Sequence, residues 1–573
     1  EMSNSKLNKN MHVVSKNGQL IRQFSSALIF YCDKCNIPLI QDLNEQENYC
    51  PSCGEKVHYL SADLRPVFPK ERLLFEIIKK VPLEFSKSSV WASNSRYYVD
   101  GKSYNLSTKE LKEADVEKII SELKKYSAQN EKNNFELYAE RFCKANRTRL
   151  NEITDEAIAF IKEVASKTDN EHLVLSFSGG KDSTVTADLV TKALSNPSLV
   201  HIFGDTTLEF PFTTEYASRF RKEHPRAIFM TAKNEEQNFL EVAKQIGPPA
   251  RMMRWCCSMF KTGPITRILN NLFGEEHIIT FYGIRKVEST ARSKYNRVQE
   301  GGENVKIQKQ TVASPIFEWK DADIWLYLLS NKVDFNDAYK LGYDRVGCWC
   351  CPNNNERAQF LSKIYMSEQS KVWRNFLIDF AKNIGKPDPE EYVDSGNWKK
   401  RQGGNGLAAS EDVKIKFTNC TAEDNAKIYR LNKPVDENFL NLFIPFGKVS
   451  TELGQKLLNE TLVLDISSNV PILSIQPFIH DGYSFAVKIK TMNVDKKGHE
   501  TLQRQSGYQV RKFNSCRQCL KCESLCSSGA ISILGNKYFI DKEKCVHCKK
   551  CVSQSFLTGG CMMDKYLKTK VEN

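Results

Sequence analysis

The chain has 573 residues, of which 41% are hydrophobic, so it is long enough for several globular domains with apolar cores. No apolar run approaches the roughly 20 residues that cross a bilayer, and the polar start of the chain lacks the apolar segment of a signal peptide. These features predict a cytoplasmic protein that has no membrane partner.

The 19 cysteines are the most unusual feature of the composition, and most of them fall in clusters with the spacing of metal ligands. In a cytoplasmic chain this pattern favours metal sites over disulfides. The formal net charge is +13, but a zinc or 4Fe–4S site with four thiolates carries about −2, and four such sites would leave roughly +5. The basic charge therefore says little about a nucleic-acid partner.

The first cysteine motif consists of two CxxC pairs on a short predicted hairpin. Two such pairs make a tetrahedral site and resemble a zinc ribbon, which we expect over residues 25–56. The ribbon is either a structural support or a grip on nucleic acid or a partner protein. Its expected zinc ligands are Cys32, Cys35, Cys50 and Cys53.

Residues 57–135 form a predicted small α+β module without recognisable chemistry. Residues 89–99 are typical of β structure, and residues 108–126 have amphipathic helical spacing. The aromatic residues of this strand region either stack on bases or, as is commoner in sheets, pack in the core. They are Trp91, Tyr97 and Tyr98, beside Arg96.

The central motif is LVLSFSGGKDS at residues 173–183, an apolar strand, a glycine-containing turn and the start of a helix. The glycine pair lets the backbone approach an anion closely, and a helix N-terminus directs N–H groups towards it. The spacing differs from the GxxxxGK[ST] loop of P-loop enzymes. It resembles the SGGxDS pyrophosphate loop of the PP-loop ATP pyrophosphatases. We expect Ser178, Gly179, Gly180 and Ser183 to bind a nucleotide, and Lys181 and Asp182 to act in catalysis.

Strand-like and helix-like segments alternate from residue 173 to residue 284, which predicts a parallel sheet with helices on both faces. Ligands of such sheets bind beyond the carboxyl ends of the strands. Five polar stretches fall in loops that would gather there: 204–211, 251–264, 283–292, 315–325 and 345–352. Their order resembles the phosphoadenosine phosphosulfate (PAPS) reductase family over about residues 140–370.

That resemblance implies a doubly wound, mainly parallel α/β sheet of the PP-loop, adenine nucleotide alpha hydrolase-like type, over residues 136–400. It implies that Lys261 and Arg285 contact phosphate or sulfate, and that Asp205 and Arg292 lie near a nucleotide, ATP or PAPS with Mg²⁺. Cys256, Cys257, Cys348 and Cys351 match the CC…CxxC set of the family's iron–sulfur branch, which implies a 4Fe–4S cluster; the alternative is a cysteine pair beside an unrelated zinc or redox pair. Cys350 is left over, either buried or a reactive sulfur carrier.

The end of the chain holds two further cysteine runs, after a predicted α+β module over residues 401–507 without catalytic signal. The runs resemble a ferredoxin domain with two 4Fe–4S clusters, expected over residues 508–573, although Ser527 and Met562 stand where such domains often have proline. In that family three cysteines of each run bind one cluster and the fourth binds the other. The resemblance implies the sets Cys516, Cys519, Cys522 and Cys561, and Cys545, Cys548, Cys551 and Cys526.

Three classes of function fit these motifs. The first is an ATP-dependent, redox-coupled sulfur transfer to an adenylated acceptor, with nucleic acid among the acceptors, and the intact SGGKDS loop favours it. The alternative is a PAPS or adenosine phosphosulfate (APS) reductase that makes sulfite with electrons from the ferredoxin domain; the chain lacks the ECGxH-like sequence of such reductases. A cluster-bearing regulator is the third. The expected partners are an adenine nucleotide, a protein that donates electrons or sulfur, and a second copy of the chain.

Overall fold

The computed structural model describes residues 12–14, 20–22, 26–42, 47–251, 254–274, 276–290, 292–300, 310–400, 416–516, 518, 520–534, 537–552 and 570–571. Among the helices in these ranges, none combines the length and apolar character needed to cross a membrane.

The N-terminal part contains a short hairpin and a three-stranded antiparallel sheet of order β4-β3-β5. Asn146 links this sheet to the following helices, because its side chain accepts from Ile40 N at 2.7 Å and donates to Pro38 O at 3.1 Å. The strands are β1 (His12–Val14), β2 (Leu20–Arg22), β3 (Leu28–Cys32), β4 (Ile37–Gln41) and β5 (His58–Ser61).

The second unit is an antiparallel sheet of order β6-β7-β8-β9 with helices beside it. Trp91, Tyr97 and Tyr98 are buried, and the Tyr97 ring stacks on Phe75 with centroids 4.1 Å apart, so the core interpretation of these aromatics is confirmed. The elements are β6 (Arg65–Pro66), α1 (Pro69–Ile78), β7 (Val90–Ser93), β8 (Arg96–Val99), β9 (Lys102–Asn105), α2 (Thr108–Glu113) and α3 (Val116–Asn130).

The central unit is a six-stranded sheet of order β12-β11-β10-β13-β15-β14, parallel except for β14. Helices cover both faces, α5, α6 and α11 on one and α10 on the other, so the predicted α/β class is confirmed. The bounds are α4 (Phe135–Ala145), α5 (Arg147–Ala165), β10 (Leu173–Phe177), α6 (Lys181–Leu194), β11 (Val200–Asp205), α7 (Pro211–Glu223), β12 (Ile228–Lys233), α8 (Phe239–Ile246), α9 (Trp255–Cys257), a π-helical turn (Ser258–Thr262), α10 (Gly263–Phe273), β13 (Ile278–Phe281), β14 (Val298–Gln299), β15 (Gln310–Ala313), α11 (Asp321–Ser330), α12 (Glu356–Tyr365), α13 (Ser367–Asn383) and α14 (Pro389–Asp394).

The C-terminal part is a seven-stranded sheet of order β18-β19-β20-β21-β17-β16-β24, with a separate β22–β23 hairpin. The helix α16 runs across the predicted boundary between residues 507 and 508, and Cys522, Ile531 and Cys551 join the same apolar core as the large sheet. The described residues of the ferredoxin-like segment therefore share an apolar core with the large sheet. The elements are β16 (Lys416–Asn419), β17 (Ala426–Leu431), α15 (Glu437–Asn441), β18 (Lys448–Ser450), β19 (Thr461–Leu464), β20 (Pro471–Phe478), β21 (Phe485–Thr491), α16 (Lys496–Ser515), α17 (Lys521–Leu525), β22 (Ile531–Leu534), β23 (Lys537–Ile540) and β24 (Lys570–Val571).

Candidate nucleotide, iron–sulfur and zinc sites

The loop between β10 and α6 lies where the strand order of the central sheet reverses, the usual ligand position in such sheets. Gly179 has a φ of 68°, and a Cβ there would lie 2.8 Å from Thr213 Cγ2, so the turn needs glycine. Ser183 Oγ accepts from Ser178 N at 3.1 Å and donates to Gly180 O at 2.9 Å. The Ser178 side chain is exposed, so the loop is open to a ligand on that side.

Lys181 and Arg285 lie in one buried ion-pair network with two aspartates. Lys181 Nζ is 3.2 Å from Asp182 Oδ2 and 3.1 Å from Asp321 Oδ1. Arg285 bridges the same two carboxylates, with Nε 2.6 Å from Asp182 Oδ1 and Nη2 2.9 Å from Asp321 Oδ1. The two charges of each sign balance, so the loop holds its cations without a net charge.

The network stabilises the charged forms of Lys181, Arg285 and Asp321. Burial opposes the charge of Lys181, but Asp182 and Asp321 outweigh it and raise the pKa of the ammonium. Burial likewise opposes ionisation of Asp321, yet Lys181 and Arg285 hold its pKa below the usual value. Arg285 is only 4% exposed, and its Nη1 has no hydrogen-bond partner in the described part of the chain. This orphaned donor is suited to an anionic group of a ligand.

Asp321 and Asp63 are site residues that the sequence analysis did not identify. Asp63 comes from the segment after the N-terminal sheet, and its carboxylate accepts from Asp321 N at 3.0 Å and from Ala322 N at 3.1 Å. It thereby caps α11 and fixes the start of the helix that carries Asp321. The stretch WKDAD at residues 319–323 was the available signal, but it did not indicate which carboxylate faces the loop.

Gly283 brings the segment after β13 against the nucleotide loop. A Cβ at this position would lie 2.6 Å from the carbonyl carbon of Asp182, so only glycine permits the approach. The approach places Arg285 beside Asp182. Tyr339 closes the loop from another side, where its hydroxyl accepts from Lys181 N at 3.1 Å.

Three further predicted site residues lie outside the ion-pair network of Lys181 and Arg285: Asp205, Lys261 and Arg292. The carboxylate of Asp205 accepts from Thr207 N at 2.8 Å at the end of β11, and the Lys261 stem packs over Gly204 beside it. Arg292 pairs with Glu288 on the segment after β13. Of the predicted site residues, Lys181, Asp182 and Arg285 are thus joined directly by ion pairs. Contact of any predicted residue with a nucleotide stays a prediction.

The core cysteines come from two segments that the fold brings together. Cys256 and Cys257 lie in α9, while the turn of Cys348 and Cys351 is held to the loop after β11 by Trp349 N, which donates to Leu208 O at 2.8 Å. Hydrogen bonding with Cys257, together with burial, raises the pKa of Cys256, and the Cys348 thiol adds to the rise. Burial raises the pKa of Cys348 to about 12, with contributions from Cys351 and Cys257.

Thiols that are buried together and raise one another's pKa are stabilised as thiolates by the positive charge of bound irons. The four residues thus fit a 4Fe–4S cluster in kind and number.

Glu209 is a further nearby group that the sequence analysis did not select. Its carboxylate accepts from Thr206 Oγ1 at 2.8 Å and raises the pKa of Cys348.

Cys350 is only 4% exposed and packs in an apolar cluster with Trp255 and Trp373. Burial raises the pKa of its thiol well above the ordinary value, so the sulfur is held neutral in the core. This environment favours the buried alternative over a reactive carrier.

The four N-terminal cysteines form a compact set, with all sulfur atoms of Cys32, Cys35, Cys50 and Cys53 within 4.8 Å of one another. Cys32 Sγ lies 3.5 Å from Cys53 Sγ, and Cys50 Sγ lies 4.0 Å from Cys35 Sγ. Hydrogen bonding with the Glu55 backbone lowers the pKa of Cys53 to about 7. This geometry can hold a metal ion, and four sulfur ligands fit zinc.

The cysteines of the ferredoxin-like runs lie around the β22–β23 hairpin; Cys519 and Cys561 are outside the described residues. Burial raises the pKa of Cys551 to about 12, and the thiols of Cys522, Cys526 and Cys545 add to the rise. Burial raises the pKa of Cys545, with contributions from Cys526 and Cys548. The closeness of Cys526 to the second run fits the predicted interleaved pairing, which stays a prediction.

The first ferredoxin-like run packs against the central unit next to its core cysteines. The helix α17, which contains Cys522, lies against α10 and the π-helical turn that directly follows Cys257. Arg267 on α10 pairs with Glu523 at 3.3 Å and donates to Ile533 O at 2.6 Å. Gln237 donates to Gln518 at 3.2 Å beside this contact.

Comparison with known proteins agrees with the central fold. Residues 172–354 match the model of the phosphoadenosine phosphosulfate reductase domain. An uncharacterized protein of Methanocaldococcus jannaschii is 33% identical over 274 residues, which are 47% of this chain and 54% of that relative, so the chain spans about half of the relative's length. An adenosine 5′-phosphosulfate reductase of Halalkalibacterium halodurans is 26% identical over 33% of this chain and 77% of that protein.

The PAPS reductase of Candida auris is a similar solved structure, with 19% identity, a TM-score of 0.27, and coverage of 35% of this chain and 94% of that one. The match of the domain model begins just before β10 and ends just after the turn of Cys348 and Cys351. Residues 172–354 are thus similar to the phosphoadenosine phosphosulfate reductase domain, and adenosine 5′-phosphosulfate reductases are among the proteins that the chain resembles.

Proposed function

We propose that this protein is a sulfonucleotide reductase that binds APS or PAPS at the loop of residues 178–183 and releases sulfite. The observation that carries the proposal is the packing of α17 against α10 and the turn after Cys257. This contact links the first ferredoxin-like run to the segment of the core cysteines within one chain, which suits a reductive reaction. The name of the Halalkalibacterium halodurans relative supports the same class of reaction.

In the proposed reaction the S–O bond of the sulfonucleotide breaks, and two electrons from an external donor pass to sulfur, which leaves as sulfite. The bridging oxygen stays with the nucleotide, which is released as AMP from APS or as the 3′-phosphate of AMP from PAPS. The bound iron–sulfur clusters supply one-electron carriers. Lys181 and Arg285 would bind the phosphate and stabilise the negative charge that develops on the leaving nucleotide. Asp182 and Asp321 would hold both cations in position before the ligand binds.

A second candidate is ATP-dependent sulfur transfer, favoured by one feature of the loop. The N-cap of α6 is Gly180, which has no side chain to occupy the first N–H groups of the helix. Lys181 N donates to the Tyr339 hydroxyl, but Gly180 offers no side-chain cap to the N–H groups that follow, and such a helix start suits the pyrophosphate that ATP would release. The acceptor would be activated by adenylation, and sulfur would then displace AMP.

One assay separates the two candidates. Anaerobic protein with its metals would be incubated with dithionite and ³⁵S-labelled APS or PAPS, and in parallel with labelled ATP. We expect labelled sulfite and an equal amount of the nucleotide product, with no pyrophosphate from ATP. Pyrophosphate release from ATP, without sulfite from either sulfonucleotide, would reject the reductase and support the sulfur transferase.

A further inference from the structure

The two ferredoxin-like cysteine runs face different surroundings. The helix of the first run packs on the central unit, whereas residues 541–550, which contain Cys545 and Cys548 of the second run, lie on the surface. We call residues 541–550 the lysine loop. Within it Cys548 is exposed, and the neighbouring Val546 is 64% exposed, large for an aliphatic side chain. Cys548 of the second run is thus accessible to another molecule, whereas Cys551 of that run and Cys522 of the first run are buried.

The lysine loop carries an excess of positive charge around this apolar centre. Its four lysines are Lys542, Lys544, Lys549 and Lys550. Two acidic residues oppose them, and one of these, Asp541, accepts from the backbone N–H groups of Glu543 at 2.9 Å and Lys544 at 3.3 Å. An apolar centre with a charged rim is the usual composition of a transient protein interface.

The lysine loop is also held in a defined position. His547 Nδ1 donates to Ile444 O at 2.9 Å, which fixes the middle of the loop to the large C-terminal sheet unit. At its end the Lys512 ammonium donates to Cys551 O at 2.8 Å, and Val552 is fully buried. A partner would therefore meet a preformed surface and would not have to order the loop on binding.

We propose that the lysine loop is the docking surface for a small acidic one-electron carrier protein, an inference that rests on the proposed reductive function. Lysines on one side and carboxylates on the other accelerate encounter, and the exposed Cys548 lies at the centre of the contact. Electrons would enter at the second run and leave towards the central unit at the first. The arrangement would thus separate the point of electron entry from the contact with the central unit.

The test uses anaerobic full-length protein with its metals and an acidic flavodoxin as the probe. Lys542→Glu/Lys544→Glu should lower the second-order rate constant of reduction by photoreduced flavodoxin roughly tenfold at low ionic strength, with the difference shrinking in salt. Flavodoxin binding measured by calorimetry should weaken in parallel, while iron content and reduction by dithionite stay unchanged. The control Lys496→Glu/Lys497→Glu reverses two exposed lysines at the start of α16 and should behave as wild type.

Equal flavodoxin rates in the Lys542→Glu/Lys544→Glu variant and wild type, or an equal loss in the control pair, would overturn the proposal. Loss of binding to a labelled single-stranded RNA with unchanged flavodoxin reduction would assign the loop to nucleic acid and also overturn it. If flavodoxin reduces wild type faster than the variant but no sulfite forms from APS or PAPS, the docking surface stands and the proposed reaction fails.

Discussion

Lys181 Nζ and Asp321 Oδ1 lie 3.1 Å apart, although Lys181 begins the helix after β10 and Asp321 begins the helix after β15. The aspartate therefore acts as an internal counter-ion that holds the loop in its binding geometry. A nucleotide phosphate would share or replace this contact.

Asp321→Asn removes the counter-ion while it keeps the side-chain shape. We expect a loss of about 1–3 kcal/mol in the free energy of unfolding, because among the described residues the two cations then keep only Asp182 within ion-pair distance. Added AMP should raise the melting temperature more in this variant than in wild type, since its phosphate replaces the missing charge.

Asp323→Asn is the matched control for this effect. Asp323 lies on the same helix as Asp321, but it is outside the nucleotide loop network and pairs with Arg149 of α5 at 2.9 Å. Its loss should destabilise the protein without changing the shift caused by AMP. Equal AMP-induced shifts in wild type and Asp321→Asn would contradict the counter-ion role.

Lys181→Ala should weaken binding of APS or ATP about 10- to 100-fold, the range expected for a lost charge-assisted hydrogen bond. Lys181→Ala and Asp182→Ala should both abolish turnover and leave the iron content near wild type, because neither residue belongs to a cysteine set. Calorimetry and iron analysis measure the two effects. The control Lys192→Ala changes an exposed lysine in the last turn of the same helix. Turnover retained in both loop variants would remove the loop from the mechanism.

Nucleotide affinity should be nearly constant between about pH 7.5 and 9.5. The pKa of Lys181 is raised in the folded state, so its contribution is complete below the ordinary lysine pKa and is lost only when the pH rises through the raised value. Calorimetric titrations with AMP across this interval provide the measurement. A steep fall in affinity within it would show that the ammonium is less stabilised than Asp182 and Asp321 imply.

Anaerobically prepared protein should contain about twelve irons and one zinc per chain, from three four-cysteine iron–sulfur sets and one ribbon. Cys256→Ser should remove about a third of the iron, and Cys53→Ser should remove the zinc alone. Cys420 lies outside all four cysteine sets, so Cys420→Ser serves as the control and should leave the iron and zinc contents unchanged. An iron content about a third lower in wild type, unchanged by Cys256→Ser, would show that the core cysteines hold no cluster.

Arg267→Glu should slow dithionite-driven sulfite formation while APS binding and iron content stay near wild type. The substitution places like charges at the contact with Glu523, which holds α17 against α10. The control Arg226→Glu reverses an exposed arginine away from this contact. Sulfite formation at the wild-type rate would argue against this contact as the electron route. Deletion after residue 507 is less informative, since it cuts α16 and opens the shared core.

The sequence by itself predicted the features that depend on local spacing. The apolar run before Gly179 and Gly180 indicated the strand and its nucleotide loop, and alternating segments indicated the parallel sheet. Cysteine spacing likewise predicted the N-terminal set, whose sulfur atoms the fold brings together. These features are local because strand alternation, turn chemistry and ligand spacing act over a few residues.

Only the tertiary structure decided which distant residues meet. The contact of Asp321 with Lys181 depends on the order of the strands, and the support from Asp63 depends on how the N-terminal units pack on the sheet. The burial of Cys350 and the contact of α17 with α10 likewise follow from packing between segments far apart in the chain. Such contacts leave no local period in the sequence, because their free energy comes from burial and charge pairing formed only when the whole core assembles.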